Sequence, residues 1–239
     1  MCKILLIIPA YNESEGIASV VQTVKTYIAT SHYALDYIVI NDGSTDKEEQ
    51  ILQENEIQHI ELVQNLGLTG ALLTGYRYAL ENNFDIAVQY DGDGQHDIHS
   101  LPALIEPLLT NKADYTVGSR YTSDSPSAFK SSAARQVGMK LLTTLVKAIS
   151  KIEIKDITSG YTAAKRDVFE RLVKGYSNLR LEAETYVYLN KKGFRIKEVG
   201  VTMFERTTGK SSISPLKGIA YMFSVSAAVI YVALFQKGD

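Results

Sequence analysis

The segment QYDGDGQHD, residues 89–97, places short polar side chains at every second position after an apolar run. These side chains are Asp91, Asp93, Gln95 and Asp97. Two neighbouring carboxylates repel each other unless a cation offsets their charge. Because Mg²⁺ and Mn²⁺ accept carboxylate, amide and phosphate oxygens together, the segment predicts a metal site at a strand end. A polar turn that binds no metal is the alternative that this segment alone leaves open.

Three common nucleotide and calcium signatures do not match the sequence. The GKSS segment, 209–212, is preceded by Phe204 where a Walker A loop needs its first Gly. No G-x-G-x-x-G fingerprint follows the first apolar run. An EF-hand loop beginning at Asp91 would need Gly in place of His96 and Glu in place of Pro102. P-loop, classical dinucleotide and calcium-loop functions are therefore excluded.

Apolar runs of strand length alternate with helical patterns in the first half of the chain. Strands are predicted at 3–8, 36–42, 57–63, 85–91 and 113–120, and helices at 16–29, 45–55, 68–82 and 100–109. Further helices are predicted at 134–150, 165–174 and 180–192, followed by a strand at 194–204 and a polar, basic loop. Near-continuous apolar strands separated by helices predict an α/β fold with a mostly parallel sheet covered on both faces.

Polar segments follow every one of the first five predicted strands. They read PAYNE, NDGSTD, QNLGLTG, DGDGQHD and GSR in chain order. Ligands of open parallel sheets bind beyond the carboxyl ends of the strands. This convergence favours a binding site at that edge more strongly than any one motif does.

Seven motifs together carry a family resemblance. They are PAYNE, NDGSTD, NLGLTGALLTGY, DGDGQHD, GSR, DITSGYTAAKRD and FERTTGKSS. In order and rough spacing, residues 3 to about 212 resemble family 2 glycosyltransferases, which are inverting GT-A-fold enzymes that use nucleotide sugars. Within this family, the sequence is most similar to the subgroup that contains dolichol-phosphate mannose synthase and undecaprenyl-phosphate hexosyltransferases.

The resemblance implies a domain organisation. The expected fold is a Rossmann-like, three-layer GT-A domain over 1–212, with a nucleotide-sugar half at 1–120 and an acceptor half with a lid loop at 121–212. A C-terminal apolar helix at 213–239 is expected to pack on the protein or to associate with a membrane.

The resemblance also assigns donor-binding roles. The base and ribose are expected to contact Pro9, Tyr11 and Glu13, and the base also Asp42. Taken alone, Asp42 could equally be a helix cap. A close approach of a helix start to the nucleotide is expected from Asn65, Gly67 and Gly70, whose alternative role is helix packing.

Roles in the reaction are implied in the same way. The metal is expected to bind Asp91, Asp93 and Gln95, with Asp93 acting directly on the leaving diphosphate. Further substrate contacts are expected from Arg120, Arg135 and the lid residue Ser211, while Arg206 and Glu184 are expected to be catalytic. Each arginine could instead be an ordinary surface charge, and Glu182 and Glu184 could belong to an acidic helix face.

The acceptor decides which of these groups is needed. A polyprenyl phosphate is largely ionised near neutral pH, since its second pKa is about 6, and needs cationic guidance such as Arg135. A sugar hydroxyl needs a general base, for which Glu182 and Glu184 are the candidates. A transferase acting on a polyprenyl phosphate is our first expectation, with a UDP-sugar as donor. A glycan-hydroxyl transferase in cell-surface polysaccharide synthesis and a non-catalytic nucleotide-sugar-binding protein are the alternatives.

Charge and hydropathy bear on location. Residues 1–119 carry 5 Lys/Arg and 17 Asp/Glu, whereas 120–239 carry 20 and 10. A basic second half suits phosphates or an anionic lipid surface, although two complementary halves of one globule would look the same. The uncharged segment 219–235 is at the short limit for a membrane span, and a core helix, a dimer contact and an interfacial anchor stay open.

The expected location follows from these features. The lone Cys2 suits a reducing compartment, and the first apolar run, which ends at Pro9, is too short for a secretory signal. We expect attachment to the cytoplasmic side of the cell membrane, peripherally or by one C-terminal anchor. A homo-oligomer or a small membrane partner stays open, and nucleic acid is not an expected partner.

Overall fold

The computed structural model describes residues 2–123, 125, 133–175, 180–204 and 215–236, without the side chains of 133–137 and 215–221. The strands are β1 (Lys3–Ala10), β2 (Ala34–Asn41), β3 (His59–Glu61), β4 (Ile86–Gln89), β5 (Tyr115–Ser119), β6 (Thr162–Lys165) and β7 (Ile196–Gly200). The helices are α1 (Ile17–Thr30), α2 (Glu48–Glu54), α3 (Gly67–Glu81), α4 (Leu101–Leu109), α5 (Ala133–Ser150), α6 (Arg166–Gly175), α7 (Ala183–Lys191) and α8 (Pro215–Phe235).

One sheet runs through the described part of the chain, in the order β3-β2-β1-β4-β6-β5-β7. Strands β1 to β4 are parallel to one another, and β5 is parallel to β7. Only β6 runs the other way, because it pairs antiparallel with both β4 and β5. The carboxyl ends of β1 to β5 therefore all lie along one edge of the sheet.

The central strands are continuous apolar runs because helices cover both faces of the sheet. In β1, every residue from Ile4 to Ile8 is buried, and alternate side chains enter two different hydrophobic clusters. One cluster contains residues of α3, α5, α6, α7 and α8, and the other contains residues of α1, α2 and α4. The result is a three-layer α/β arrangement, as the sequence predicted.

The structure differs from the sequence prediction at three strands. The strand predicted at 194–204 forms only over Ile196–Gly200, with an isolated bridge at Met203. The strand predicted at 57–63 forms only over His59–Glu61, because β3 is the edge strand of the sheet and pairs only with β2. The strand β6, Thr162–Lys165, was not predicted. Its residues TAAK are four small or polar side chains, which neither alternate in polarity nor form an apolar run.

The last helix, α8, packs into the same core as the sheet. Its buried residues Val225, Val229 and Val232 belong to the cluster that contains α5 and α7. No helix within the described residues is both long enough and apolar enough to cross a membrane. A membrane-associating role for the C-terminal segment therefore stays a proposal.

Candidate active site

The loops after β1 and β2 are joined by side-chain hydrogen bonds. The Oδ1 atom of Asn12 accepts the backbone N–H of Thr45 at 2.8 Å, and the backbone N–H of Asn12 donates to Ser44 Oγ at 3.0 Å. Asn12 adopts a left-handed conformation with φ of 57°. Asn tolerates this conformation better than most residues, so the turn suits the sequence. Of the expected base and ribose contacts, Tyr11 and Glu13 lie on this joined pair of loops, and Pro9 lies near the end of β1.

Glu48, which the sequence analysis did not single out, lies beneath these loops. Its side chain is fully buried, and its Oε2 accepts the backbone N–H of Glu13 at 2.7 Å. Among the described residues, its Oε1 has no hydrogen-bond partner. Burial, reinforced by the nearby carboxylates of Asp46 and Glu13, raises the pKa of Glu48 to about 7.

Asp42 connects the end of β2 to the start of α3. Its side chain is buried, and Oδ1 accepts the backbone N–H of Leu66, the residue before α3, at 2.8 Å. Asn65 is exposed and its Oδ1 accepts the N–H of Gly67, which has φ of 75°. Gly70 allows the Leu66 side chain to lie against the helix, since a Cβ there would be 2.3 Å from Leu66 Cβ. These contacts give Asp42 a capping role, and its contact with a base stays a prediction.

The two acidic residues after β4 are held in fixed orientations. Asp91 Oδ1 accepts the side-chain amide of Gln89 at 2.9 Å, and Asp93 Oδ1 accepts the backbone N–H of Gln95 at 3.0 Å. Gly94 has φ of 74°, which lets the chain turn between Asp93 and Gln95. Both carboxylates are partly exposed, so ligands can reach them.

We call residues 90–97, which carry Asp91 and Asp93, the acidic loop. His96 is the buried residue that packs this loop against the rest of the protein. Its ring stacks on Tyr161 with centroids 4.5 Å apart, and Tyr90 donates its hydroxyl to the His96 carbonyl at 2.7 Å. Burial lowers the pKa of His96 to about 4, so the ring is neutral at pH 7 and its Nδ1 accepts the N–H of Asp91 at 3.1 Å. The sequence analysis mentioned His96 only as the position where a calcium loop would need Gly. Its aromatic partner Tyr161 is 65 positions away in the chain, so no local sequence pattern indicates their contact.

A cavity of about 100 Å³ opens beside Asp91. Its walls come from the start of α3, from β4, β5 and β6, from the segment 157–160 and from the start of α7. Two lining residues, Gln89 and Gly160, touch Asp91; a Cβ at Gly160 would be 2.5 Å from Asp91 Oδ2. Only glycine leaves room for the carboxylate there. A larger cavity, about 480 Å³, lies on the other side of the loop, between Asp93 and the first turns of α1.

The two acidic residues near α7 occupy different positions. Glu182, directly before α7, lines the small cavity. Glu184 is completely buried in the first turn of α7 and is not one of the lining residues. The structure therefore places Glu182 nearer than Glu184 to the space beside Asp91. The catalytic role expected for Glu184 stays a prediction.

Arg120 lies at the end of β5 and is held by a carboxylate that sequence reasoning missed. Its Nε and Nη2 donate to the two oxygens of Asp156 at 2.7 and 2.8 Å, and its backbone N–H donates to Asp156 Oδ2 at 3.0 Å. Both side chains are buried. The pair anchors the segment that leads to 157–160, and a substrate contact of Arg120 stays a prediction. Arg135 lies in the first turn of α5, and its side chain is outside the described part of the structure.

The acidic loop is also tied to the segment that precedes the expected lid. Phe204 donates its N–H to the Gln95 carbonyl at 2.7 Å, and the Gln95 side-chain amide donates to the Phe204 carbonyl at 3.3 Å. His96 and Met203 form an antiparallel bridge. The expected lid residues Arg206 and Ser211 lie outside the described residues.

The residues present suit an oxygen-seeking divalent ion that also binds the substrate. Among the described residues, no three His, Cys, Asp or Glu side chains are grouped to bind a metal. Asp91 and Asp93 carry carboxylate oxygens, and the Gln95 side-chain nitrogen donates to a carbonyl, so only its side-chain oxygen could serve as a ligand. Mg²⁺ commonly binds through one or two carboxylates, waters and substrate phosphates, so this donor set fits such a shared site.

The sequence model of the family described as glycosyl transferase family 2 matches residues 5–173, which run from within β1 past β6 and include the acidic loop. The chain belongs to glycosyl transferase family 2. It is an enzyme of that family with an α/β, GT-A-like fold and a mostly parallel sheet, as the sequence resemblance implied. The family resemblance expected from the seven motifs is thereby confirmed.

Several family 2 relatives act on polyprenyl phosphates by name. The chain is 30% identical over 218 residues to a UDP-N-acetylglucosamine–dolichyl-phosphate N-acetylglucosaminyltransferase of Methanococcus voltae, covering 83% of this chain and 84% of the relative. It is 30% identical over 236 residues to the polyprenol monophosphomannose synthase of Mycolicibacterium smegmatis, covering 94% and 86%. It is 26% identical over 223 residues to an undecaprenyl-phosphate mannosyltransferase of Micrococcus luteus, covering 89% and 88%.

One solved structure is similar over nearly the whole chain. Glucosyl-3-phosphoglycerate synthase of Mycobacterium tuberculosis, crystallised with Mn²⁺, UDP-glucose and phosphoglyceric acid, matches with a TM-score of 0.68. The identity is 20%, and the match covers 97% of this chain and 80% of that one. At this identity the likeness establishes the fold alone.

Proposed function

We propose that this enzyme transfers one hexose, with inversion, from a nucleotide sugar to a polyprenyl phosphate at the cytoplasmic face of a membrane. A UDP-sugar is the proposed donor. The proposal depends on one observation: Asp91 and Asp93 follow β4 at the edge where five strand ends meet, Asp91 against the lining residues Gln89 and Gly160 of the small cavity and Asp93 in the lining of the larger one. The names of the relatives from M. voltae, M. smegmatis and M. luteus support the acceptor class.

A divalent metal is part of the proposal. Mg²⁺ or Mn²⁺ would be held by Asp91 and Asp93, with Gln95 as a third oxygen ligand. When bound, the ion supplies Lewis-acid neutralisation of the diphosphate leaving group. The Gln89 amide holds Asp91 in one orientation, Gly160 leaves room for that carboxylate, and the turn at Asp93 holds the second carboxylate. Pre-orientation of this kind lowers the reorganisation needed in the transition state.

The transfer itself exchanges one C–O bond for another. The bond between the anomeric carbon and the diphosphate oxygen breaks, and its electron pair leaves with the nucleoside diphosphate. An acceptor oxygen attacks the opposite face of the same carbon, which inverts its configuration. An ionised lipid phosphate needs no base for this attack, because its second pKa is about 6. We propose that Arg120, Arg135, Arg206 and Ser211 contribute to binding the anionic groups.

A sugar hydroxyl is the second candidate acceptor because Glu182 lines the cavity. A carboxylate in that place could take the proton of an attacking hydroxyl. Glu182→Gln separates the candidates. With a phosphate acceptor, we expect kcat to fall less than tenfold and the pH profile to keep its shape. A fall of about 10²–10⁴-fold, with loss of the acidic limb of the profile, would support the hydroxyl acceptor instead.

The acceptor is tested directly with a lipid extract and radiolabelled UDP- and GDP-sugars, with and without Mn²⁺. We expect a lipid-soluble product that mild acid hydrolyses, because a sugar phosphodiester is acid-labile at its anomeric carbon. Asp93→Asn is expected to abolish the product while leaving the unfolding midpoint near that of the natural protein. A product stable to mild acid, or full activity of Asp93→Asn, would contradict the proposal.

A further inference from the structure

Large apolar side chains are exposed along one side of α8. The most exposed are Phe223 at 75%, Leu234 at 70% and Phe235 at 69% of their full accessible surface. Ile230 and Tyr231 are also exposed, and Tyr231 packs on Phe235 with ring centroids 5.2 Å apart. Positions 223, 230 and 234 recur at helical spacing, so they form one stripe. A continuous exposed stripe of this kind marks an interaction surface more often than isolated apolar residues do.

The opposite side of α8 is buried along the same length. Val225, Val229 and Val232 enter the hydrophobic cluster shared with α5 and α7. At the end of the helix, the Lys191 ammonium donates to the carbonyls of Val232 at 3.3 Å and Ala233 at 2.6 Å. The helix is thus held lengthwise against the protein, with one apolar side in the core and the other in solvent.

The exposed stripe continues onto α5. A Cβ at Gly138 of α5 would be 3.3 Å from the Met222 side chain, so the two helices pack closely at this point. Leu141, one turn further along α5, is 68% exposed, and its neighbour Lys140 is exposed as well. We call the surface formed by Leu141, Phe223, Ile230, Tyr231, Leu234 and Phe235 the α5–α8 face.

The charges of these two helices have one sign. Their sequences contain four basic residues, Arg135, Lys140, Lys147 and Lys217, and no Asp or Glu. Lys147 forms an ion pair with Glu153 at 3.0 Å, while Lys140 lies exposed beside Leu141. Exposed apolar residues beside the cation Lys140, on two helices without an acidic residue, match the chemistry of an anionic lipid surface, where headgroups are negative above an apolar layer.

The α5–α8 face also adjoins the active site. Thr158, which lines the cavity beside Asp91, donates its hydroxyl to Met139 Sδ of α5 at 3.7 Å. Met139 lies between Gly138 and the exposed Lys140 and Leu141. Helix α5 therefore connects the two sites, since its buried Met139 contacts the cavity wall and its exposed Leu141 belongs to the face. A bilayer in contact with this face would be separated from the cavity wall by this helix.

We propose that the α5–α8 face docks on an anionic lipid bilayer, with α8 lying in the plane of the headgroups and its exposed side inserted. The proposal deepens the proposed function, on which it rests for the identity of the acceptor. Vesicle binding itself requires neither donor nor acceptor, so the surface can be tested separately from the transferase activity.

The test is flotation of the full-length protein with vesicles of phosphatidylcholine alone or mixed with phosphatidylglycerol. We expect binding to the mixed vesicles that weakens with salt. The double variant Phe223→Gln/Leu234→Gln is expected to lower the partition coefficient roughly tenfold or more, because two large apolar side chains no longer insert. Lys140→Gln is expected to lower it by about fivefold on mixed vesicles only.

Leu109→Gln provides the matched control. Leu109 is an exposed leucine at the end of α4, on the opposite face of the sheet, and its substitution should leave flotation unchanged. Unchanged far-ultraviolet circular dichroism and unfolding midpoint would establish that the double variant is folded. With a short, water-soluble prenyl phosphate, the double variant should keep its activity, whereas it should lose activity on a long-chain acceptor embedded in vesicles.

Two results would overturn the proposal. One is flotation of the double variant equal to that of the natural protein, or no flotation of either. The other is a dimer in light scattering that the double variant converts to a monomer, since the face would then bind a second copy of the chain. Loss of transfer to every prenyl phosphate with normal flotation would instead contradict the proposed function and leave the docking surface standing.

Discussion

At the scale of single residues, Glu48 is a carboxyl group in a place that favours its neutral form. Burial raises its pKa from 4.5 to about 7, so between these values the folded state holds a proton that the unfolded state releases. Stability therefore falls as the pH rises through this window and stays low above it. We predict that Glu48→Gln stabilises the protein by about 1–3 kcal/mol at about pH 8, after allowance for solvent screening.

The same variant should change stability little at about pH 5, where Glu48 itself is protonated in the folded state. Urea unfolding at the two pH values measures the difference. The control is Glu49→Gln, since Glu49 is the exposed neighbour on the same helix. A stabilisation that is equal at both pH values would show that the ionisation of Glu48 does not cause it.

Gln89 is a second residue whose effect can be isolated. It is buried at the end of β4, a place where the strand pattern predicts an apolar side chain, and its amide donates to Asp91 Oδ1 at 2.9 Å. We predict that Gln89→Leu lowers kcat/KM about tenfold, the equivalent of about 1.4 kcal/mol, near the lower end of the contribution of a hydrogen bond to a charged group. The Mn²⁺ concentration for half-maximal rate should rise, because Asp91 is no longer held in one orientation.

A purely structural role for Gln89 makes a different prediction. It would lower the unfolding midpoint and leave the Mn²⁺ requirement of the folded enzyme unchanged. Gln50→Leu, at an exposed amide on α2, is the control for the effect of the substitution itself. Steady-state kinetics over a range of Mn²⁺ concentrations distinguish the two roles.

At the scale of elements, the buried Arg120–Asp156 pair fixes the end of β5 to the segment before β6. Removing one partner leaves a buried charge uncompensated, and such losses typically cost 3–5 kcal/mol. We predict a destabilisation of about this size for Asp156→Ala, measured by urea unfolding. The double variant Arg120→Met/Asp156→Leu should recover much of the loss, because neither charge is then buried.

The control for this ion pair is an exposed one. Glu153→Ala removes the partner of Lys147 on the protein surface and should leave the unfolding midpoint unchanged. If Asp156→Ala were equally neutral, water or another group would have to replace the carboxylate. The anchoring role of the pair would then be wrong.

The elements that the sequence predicted are those with strong local patterns. The apolar runs of β1, β2, β4 and β5 are long enough to identify, and polar segments after them mark the site edge. The strand β6 was missed because Thr162–Lys165 has no such pattern, and its formation depends on β4 and β5 on either side. The partnership of Arg120 with Asp156 was missed for the same reason, since 36 residues separate the two in the chain.

The candidate site was predictable to the extent that chemistry is written in residue type. Acidic residues after β4 were identified because two carboxylates in three residues are unusual at the end of an apolar run. The residues that orient them, Gln89, His96 and Gly160, act through packing and hydrogen bonds that only the folded chain creates. Glu48 carries no local signal at all, because its altered pKa results from burial.

At the scale of the whole molecule, the half expected to bind the donor, 1–120, and the half expected to bind the acceptor, 121–212, share one sheet. Strand β6, from the second half, lies between β4 and β5 of the first half, and the larger hydrophobic cluster runs from Leu5 to Val232. If the second half unfolded, β5 would lose both of its partners, β6 and β7, and β4 would lose β6. We therefore predict a single cooperative unfolding transition, although chains of this length often populate intermediates.

The chain offers a direct measurement of this cooperativity. It contains 15 Tyr and no Trp, so tyrosine fluorescence reports on tertiary packing while far-ultraviolet circular dichroism reports on secondary structure. We expect the two urea transitions to coincide, and UDP with Mn²⁺ to shift both midpoints equally, because a ligand of the folded state stabilises everything that unfolds with its site. A second transition that the ligand does not move would mean that the acceptor half unfolds independently, in conflict with the position of β6 inside the sheet.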